Sequence, residues 1–301
     1  EVAVEAARLA QAVARPVCLQ WSREEEFTWA YFRPAARIEV TAKIDANQRI
    51  GNWQFTNYNA GTSALQCPYR TASGQTQFVP SDSPLRQGSY RALASTVNTF
   101  ARESMMDELA LAAQQDPLAF RLAQLDTGRL RDVLVVLSDR CQWTDRKQAA
   151  RQAGRGMGLA CGTEKGSFVA ACAEVEVRDG EFRVLSICQV FECGAIQNPD
   201  NLLSQVEGAI IMGLGGALFE AIHIRNGRIE NGNFTEYHVP RLKHVPQLKI
   251  HLLNRTDLPS VGAGETPIIA VAPAIANAIA DASRIRIRSL PLRTESLRCE
   301  A

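Results

Sequence analysis

The sequence contains no Cys-x-x-Cys pair, has only four histidines, and shows no excess of either charge. Its eight cysteines (Cys18, Cys67, Cys141, Cys161, Cys172, Cys188, Cys193 and Cys299) are scattered, several of them in apolar strand-like runs. That spacing supplies no ligand set for an iron–sulfur cluster or a zinc site and reads as reduced structural thiols. His223, His238, His244 and His251 are equally dispersed, so an all-protein metal cage is not expected. A net charge of +1 provides no global field for nucleic acid or an anionic membrane. Arg284, Arg286, Arg288, Arg293 and Arg298 alternate with Ile and Leu and read as the polar face of a strand at a solvated edge or subunit contact.

Long apolar runs are also missing, apart from an Ala-rich stretch after Glu265 that holds two prolines and is too weakly hydrophobic to span a bilayer. There is no initiator Met and no signal peptide, and the chain opens inside an amphipathic helix. An N-terminal portion is therefore expected to precede it. Two glycine clusters, "GRGMGLACG" and "GLGGAL", fail the dinucleotide pattern because Leu159 and Leu218 stand at the last glycine position. No G-x-S-x-G elbow is present.

What is present is a mixture of hairpins and helices. After the opening helix, "RPVCLQWS" reads as a strand, and residues 36–59 alternate apolar and polar around "DANQ" as a β-hairpin. Residues 61–87 are polar and read as loop. A helix follows over 99–115, then a second capped by Asp116 with Pro117 at its first position, then a helical stretch over 127–153. The hairpin pattern returns over 169–193 with Asp179-Gly180 as its turn, and a long helix begins at Asn198. This order, hairpin then helix twice over, predicts an α+β architecture in two intertwined lobes with a cleft between them, residues 1–150 forming the first and 151–301 the second.

The stretch "SVGAGETPIIAVAPAIANAIADA" places Glu265 between a pair of glycines and a helix that is apolar on nearly all sides. Thr266 is positioned to cap that helix with Pro267 at its first position, while Pro273 predicts a kink or an irregular first turn. Gly262 and Gly264 let the main chain approach something bulky. Two readings of Glu265 stand open: a carboxylate beside a helix dipole, or an active-site base. The residues alone favour the dipole.

Taken together, "RPVCLQWSREEEF", "GSYRA" before "FARESMMDELA" and "DPLAFRL", "FECGAIQNPDNLLSQVEGAIIMGLGGALFE", "GAGETPIIAVAPAIANAI" and "RIRIRSLPL" resemble the molybdopterin-binding large subunit of the xanthine dehydrogenase and aldehyde oxidase family. The nearest branch in this resemblance is the bacterial group of isoquinoline 1-oxidoreductase and nicotinate dehydrogenase large subunits. The resemblance implies a molybdenum-cofactor-binding fold and turns the balance on Glu265. In that family the glutamate of the Gly-x-Gly-Glu loop takes a proton from hydroxide on molybdenum, and hydride passes from the substrate to a sulfido ligand. It implies further that Arg91 in "GSYRA" orients substrate or stabilises developing charge, although "ALAS" replaces the family's glycine-rich continuation. Gln205 matches a glutamine that hydrogen-bonds the pterin, Gly262 and Gly264 pack beside it, and the loop with Gly162, Thr163 and Ser167 approaches the cofactor phosphates.

The implied activity is oxidative hydroxylation of an N-heteroaromatic or aldehyde substrate with oxygen from water. The implied cofactor is molybdopterin, expected in its cytosine dinucleotide form, carrying the molybdenum, so that no protein side chain ligates the metal. Electrons are expected to leave through [2Fe–2S] clusters on an iron–sulfur small subunit and pass to a cytochrome or other acceptor. Family loops of the "GGGFG" and "GMGQG" type are not found here, so the chain reads as the C-terminal part of a larger subunit, completed by its own polypeptide or by a partner. The competing expectation is a noncatalytic scaffold or assembly subunit. Location in the bacterial cytoplasm and in the periplasm are both compatible with this reading.

Overall fold

The structure is a computed structural model that describes residues 2–297; Arg298 and Cys299 lie outside the described residues. Helix α1 (Val2–Val13) buries none of its residues, and α2 (Arg23–Trp29) starts at a capping box in which Ser22 and Glu25 satisfy each other's backbone N–H. The expected strand at "RPVCLQWS" does not form. Its few apolar residues find no partner strand, and Ser22 is used to start α2.

Strands β1 (Arg37–Ile44) and β2 (Ile50–Tyr58) form the first hairpin, whose turn is folded by Asp45 Oδ1 accepting from the amides of Asn47 at 2.8 Å and Arg49 at 2.9 Å. The region read as loop contains β3 (Ser73–Val79), which pairs parallel to β2. Its sequence, "SGQTQFV", is mostly polar because the strand is an exposed edge, so backbone pairing rather than hydrophobicity makes it.

Four helices follow. They are α3 (Ser95–Ala112), α4 (Pro117–Gln124), α5 (Arg129–Cys141) and α6 (Trp143–Gln152). Asp116 caps α4 as expected, accepting from Leu118 N at 2.9 Å and Ala119 N at 3.2 Å. The expected single helical stretch is two helices, split where Gln142 takes a left-handed φ of 51°.

Strands β4 (Arg155–Glu164), β5 (Ser167–Arg178) and β6 (Glu181–Glu192) form an antiparallel meander through two-residue turns, Lys165-Gly166 and Asp179-Gly180, all four residues having positive φ. Helix α7 (Pro199–Leu218) ends earlier than its apolar pattern implies. Then come a small ribbon of β7 (Ile224–Arg225) and β8 (Arg228–Ile229), β9 (Gln247–Leu253) parallel to β6, and α8 (Val271–Ser283). Along β5, Val169, Ala171 and Ala173 belong to the core under α7 and α8, whereas Ala170 and Cys172 belong to the core under α5. The sheet is covered on both faces, one by helices of the first half and one by helices of the second, which gives the α+β arrangement of two intertwined lobes. Residue 150 falls in the last turns of α6.

The glycines of β4 serve that packing. A methyl group on Gly156 or Gly158 would collide with the backbone of α8 at Ala278. Helix α8, with its many alanines, thereby lies directly on the sheet. The segment from Thr266 to Ser283 is 18 residues long with a mean hydropathy of 1.3, and 72% of it is buried inside the protein, which makes it a core element.

A fully buried ion pair within the first half also reaches across to the second. Glu103 of α3 accepts from Arg121 Nε at 2.9 Å, Tyr69 OH at 2.8 Å and the Cys161 amide at 3.1 Å. Asn277 of α8 donates to the carbonyls of Glu103 and Leu159. The arginines near the C-terminus form no strand among the described residues. Arg286 is mostly buried, 3.6 Å from Asp107, and Arg288 pairs with Glu108 at 2.9 Å, so both serve α3.

Candidate functional site

Residues 260–266 cross from β9 to α8 over the β4–β5 turn, and several contacts fix their course. Val261 N donates to Cys193 O at 2.9 Å. Ser167, fully buried, donates its hydroxyl to Gly262 O and lies 3.1 Å from Thr266 Oγ1. Thr266 Oγ1 donates to Glu164 O at 2.8 Å, and Gln189 Nε2 to Pro267 O at 3.0 Å. Thr266 is therefore an anchor, not the expected helix cap. Residues Thr266–Ile268 form a 3₁₀ turn before α8 begins at Val271, which brings Pro273 into the first turn of the α-helix, where its missing N–H costs little.

Glu265 occupies the cap position of that 3₁₀ turn but makes no capping hydrogen bond. Its side chain turns to the β4–β5 tip, where Lys165 Nζ lies 2.5 Å from Oε2. That oxygen is buried and receives no well-aligned hydrogen bond, so its contact is the ion pair alone. A carboxylate serving the helix dipole would sit on the free amides of the turn; this one does not.

Two side chains from distant elements grip the same carbonyl. Arg91 Nε donates to Gly264 O at 2.5 Å across 173 residues of sequence, and Gln205 Nε2 of α7 reaches that oxygen at 3.4 Å. Arg91 Nη1 points to Met212 Sδ at 3.7 Å, while Nη2 is buried without a partner. Burial pulls the guanidinium below its ordinary range, opposed by the charges of Glu265 and Tyr90. The same crowding acts on Glu164, whose carboxyl is pushed up by burial, opposed by Lys165 and reinforced by Glu265. Lys165 itself is held up by its close pairing with the Glu265 carboxylate.

The structure thus brings Arg91, Gln205, Gly264 and Glu265 together, along with Lys165, which lies within the 162–167 loop but was not singled out from the sequence. Three other expected cofactor residues, Gly162, Thr163 and Ser167, lie in and beside the β4–β5 turn that supports the Glu265 loop. Gly162 lies under Ile269, just ahead of α8, where an added Cβ would stand 2.8 Å from Ile269 Cδ1. Thr163 Oγ1 donates to Ser167 O at 2.9 Å. Hydroxyls expected near phosphates are spent on anchoring the turn and the Glu265 loop. Gly262 is different again: it is exposed, and nothing lies within 4 Å of where its Cβ would be. Two surface cavities, of about 600 Å³ beside Trp143 and about 780 Å³ beside Phe219 and His244, include no residue of this loop, so the expected cleft is not found at Glu265 in either of them.

Residues 165–246 match the molybdopterin cofactor-binding domain family. A nicotinate dehydrogenase subunit of Pseudomonas putida is 30% identical over 99% of this chain and 28% of its own length. The beta chain of isoquinoline 1-oxidoreductase from Brevundimonas diminuta is 31% identical over 96% of this chain and 40% of its own. The chain therefore spans well under half of these curated relatives. Among solved structures, quinoline 2-oxidoreductase from Pseudomonas putida 86 superposes with a TM-score of 0.85 at 14% identity, covering 98% of this chain and 65% of that one. Aldehyde oxidoreductase from Desulfovibrio gigas gives 0.82 at 15%, covering 96% and 51%. The order of motifs, the fold and these relatives agree: the chain belongs to the molybdopterin-binding subunits of the xanthine dehydrogenase and aldehyde oxidase family.

Proposed function

We propose that this chain carries the base-bearing side of a molybdenum hydroxylase active site, acting on an N-heteroaromatic or aldehyde substrate with water as the oxygen source. The observation that carries the reading is Glu265, held off its own helix by Lys165 and presented on a loop whose backbone Arg91 and Gln205 grip together.

The residues fit a bulky polar cofactor. A buried donor, Arg91 Nη2, lacks a hydrogen-bond partner within the described residues and adjoins the Gly262–Glu265 loop. Open space fronts Gly262. Gln205, Gly262 and Gly264 would hold molybdopterin, which we propose in its cytosine dinucleotide form. When bound, the cofactor supplies the acceptor for the two electrons that leave the substrate carbon.

Glu265 then serves as general base, taking a proton from the water-derived nucleophile, while Arg91 orients the substrate or steadies negative charge developing on it. Substrate C–H and water become C–OH, two protons and two electrons. The electrons are passed to [2Fe–2S] clusters of an iron–sulfur small subunit and onward to a cytochrome or other acceptor. The relatives' names, nicotinate and isoquinoline, support an N-heteroaromatic substrate. Metal analysis of the assembled protein, with turnover in ¹⁸O-labelled water, tests this reading. Stoichiometric molybdenum and labelled product are expected; an assembly without molybdenum and without labelled product would mean a scaffold subunit.

A further inference from the structure

Arg91 stands on a strained piece of backbone. The two residues after it, Ala92 and Leu93, have φ of 68° and 48°, left-handed conformations that non-glycine residues adopt only where their surroundings impose them. On the C-terminal side, Ser95 fixes the turn by donating both its amide, at 2.9 Å, and its hydroxyl to Ala92 O. On the N-terminal side the constraint comes from a polar cluster around Tyr90. Tyr90 OH donates to Glu220 Oε2 at 3.1 Å, and Tyr237 OH donates to the same oxygen at 3.3 Å. The Arg33 guanidinium lies 4.7 Å from the centre of the Tyr90 ring and is itself tied to Thr96 Oγ1.

Glu220 reaches this position because α7 stops early. Its amide donates to Gly215 O at 2.9 Å, and its other oxygen, Oε1, fills the space that a side chain at Gly215 would take. The chain between the anchored phenol of Tyr90 and the guanidinium of Arg91 is one residue step long. Fixing the first leaves the second few places to go, and the place it takes is the carbonyl of Gly264, immediately before Glu265.

We infer that Glu220 and Tyr90 are positioning residues for Arg91 and, through the Arg91 hydrogen bond to Gly264 O, for the loop that presents Glu265. Its consequence for turnover rests on the proposed function. The clamp itself does not, and it is measurable on its own.

The test uses the assembled protein and two readouts, hydrogen–deuterium exchange of peptides spanning 260–266 and single-turnover rate. Tyr90→Phe deletes only the hydroxyl and is expected to speed exchange in that loop about tenfold, the worth of one hydrogen bond to a charged acceptor. Glu220→Leu is expected to do the same, whereas Glu220→Gln, which keeps an acceptor for both phenols, is expected to stay within about twofold of the parent. In an Arg91→Ala background Tyr90→Phe is expected to add nothing, because the clamp has already been opened. Turnover should fall in Tyr90→Phe and recover in Glu220→Gln. Unchanged exchange in Tyr90→Phe, or additive effects of Tyr90→Phe and Arg91→Ala, would overturn the inference. If the parent assembly proves inactive, the functional reading fails while the exchange data still decide the clamp.

Discussion

Lys165 Nζ lies 2.5 Å from Glu265 Oε2, so the cation at the tip of one hairpin, not the amides of the following helix, partners the candidate base. Pairing and anchoring are divided between neighbours: Lys165 is half-exposed, whereas Ser167 is fully buried beneath the same loop.

That division predicts unequal costs. Lys165→Met should lower stability only slightly, with the loss shrinking further in high salt, because an exposed pair is screened. Ser167→Ala should cost about 1–3 kcal/mol at any salt, since it strips a buried donor from Gly262 O. Urea unfolding at low and high ionic strength separates the two; a Lys165→Met loss as large as that of Ser167→Ala and falling with salt would show that the loop hangs on the ion pair.

Glycines at two places should respond in opposite ways. Gly158→Ala pushes a methyl into the backbone of α8 and should destabilise by about 1–3 kcal/mol or more. Gly262→Ala meets nothing within 4 Å and should leave stability within about 0.5 kcal/mol, while reducing molybdenum content if the cofactor packs there. Thermal unfolding and metal analysis on the same samples check both.

Breaking the buried Glu103–Arg121 pair by Arg121→Met should cost about 3–5 kcal/mol, because it leaves a fully buried acid without its nearest cation. A loss below about 1 kcal/mol, read from denaturant midpoints, would mean that the pair does not tie α3 and α4 together.

Tyr90 predicts an alkaline signature. Burial, then the charge and hydrogen bonding of Glu220, raise its phenol to about 12. A raised folded value contributes stability that is complete below the unfolded phenol range near 10 and is lost as pH rises through about 12. The stability difference between the parent and Tyr90→Phe should therefore shrink over that window. Absorbance at 295 nm, which follows phenolate formation, should lose one late-titrating group in the variant.

Much of this was legible in the sequence where a local rule was enough. The Asp45 turn, the Asp116 cap before Pro117 and the Asp179-Gly180 hairpin each follow from side chains within a few residues of one another. The irregular start at Pro273 was one of two outcomes foreseeable, since proline avoids kinking a helix only in its first turn. Strand β3 was not, because its polar edge gives no alternation to read. Gly156 and Gly158 read as a failed nucleotide loop until α8, more than a hundred residues on, is seen lying against them.

The site divides along the same line. Glu265, Arg91 and Gln205 were reached through resemblance, and their meeting at Gly264 is a tertiary fact that no spacing encodes. Lys165 and Glu220 carried no signal: one is a charge in a tight turn, the other a carboxylate past the end of a helix. Each acquires its role only from what the fold brings within reach.

The central claim, that Glu265 is the base, is tested most directly by Glu265→Gln in the assembled, metal-loaded protein. Glutamine keeps the length and much of the hydrogen-bonding reach of the side chain, and the anchors at Ser167 and Thr266 are untouched, so folding and molybdenum content should be unchanged. What disappears is a group able to accept the proton, a loss worth about 10²–10⁴-fold in rate. The measurement is single-turnover reduction of the molybdenum centre by substrate, with metal content determined on the same sample. The account predicts full occupancy with reduction slowed by at least about a hundredfold; near-parental reduction at full occupancy would contradict it.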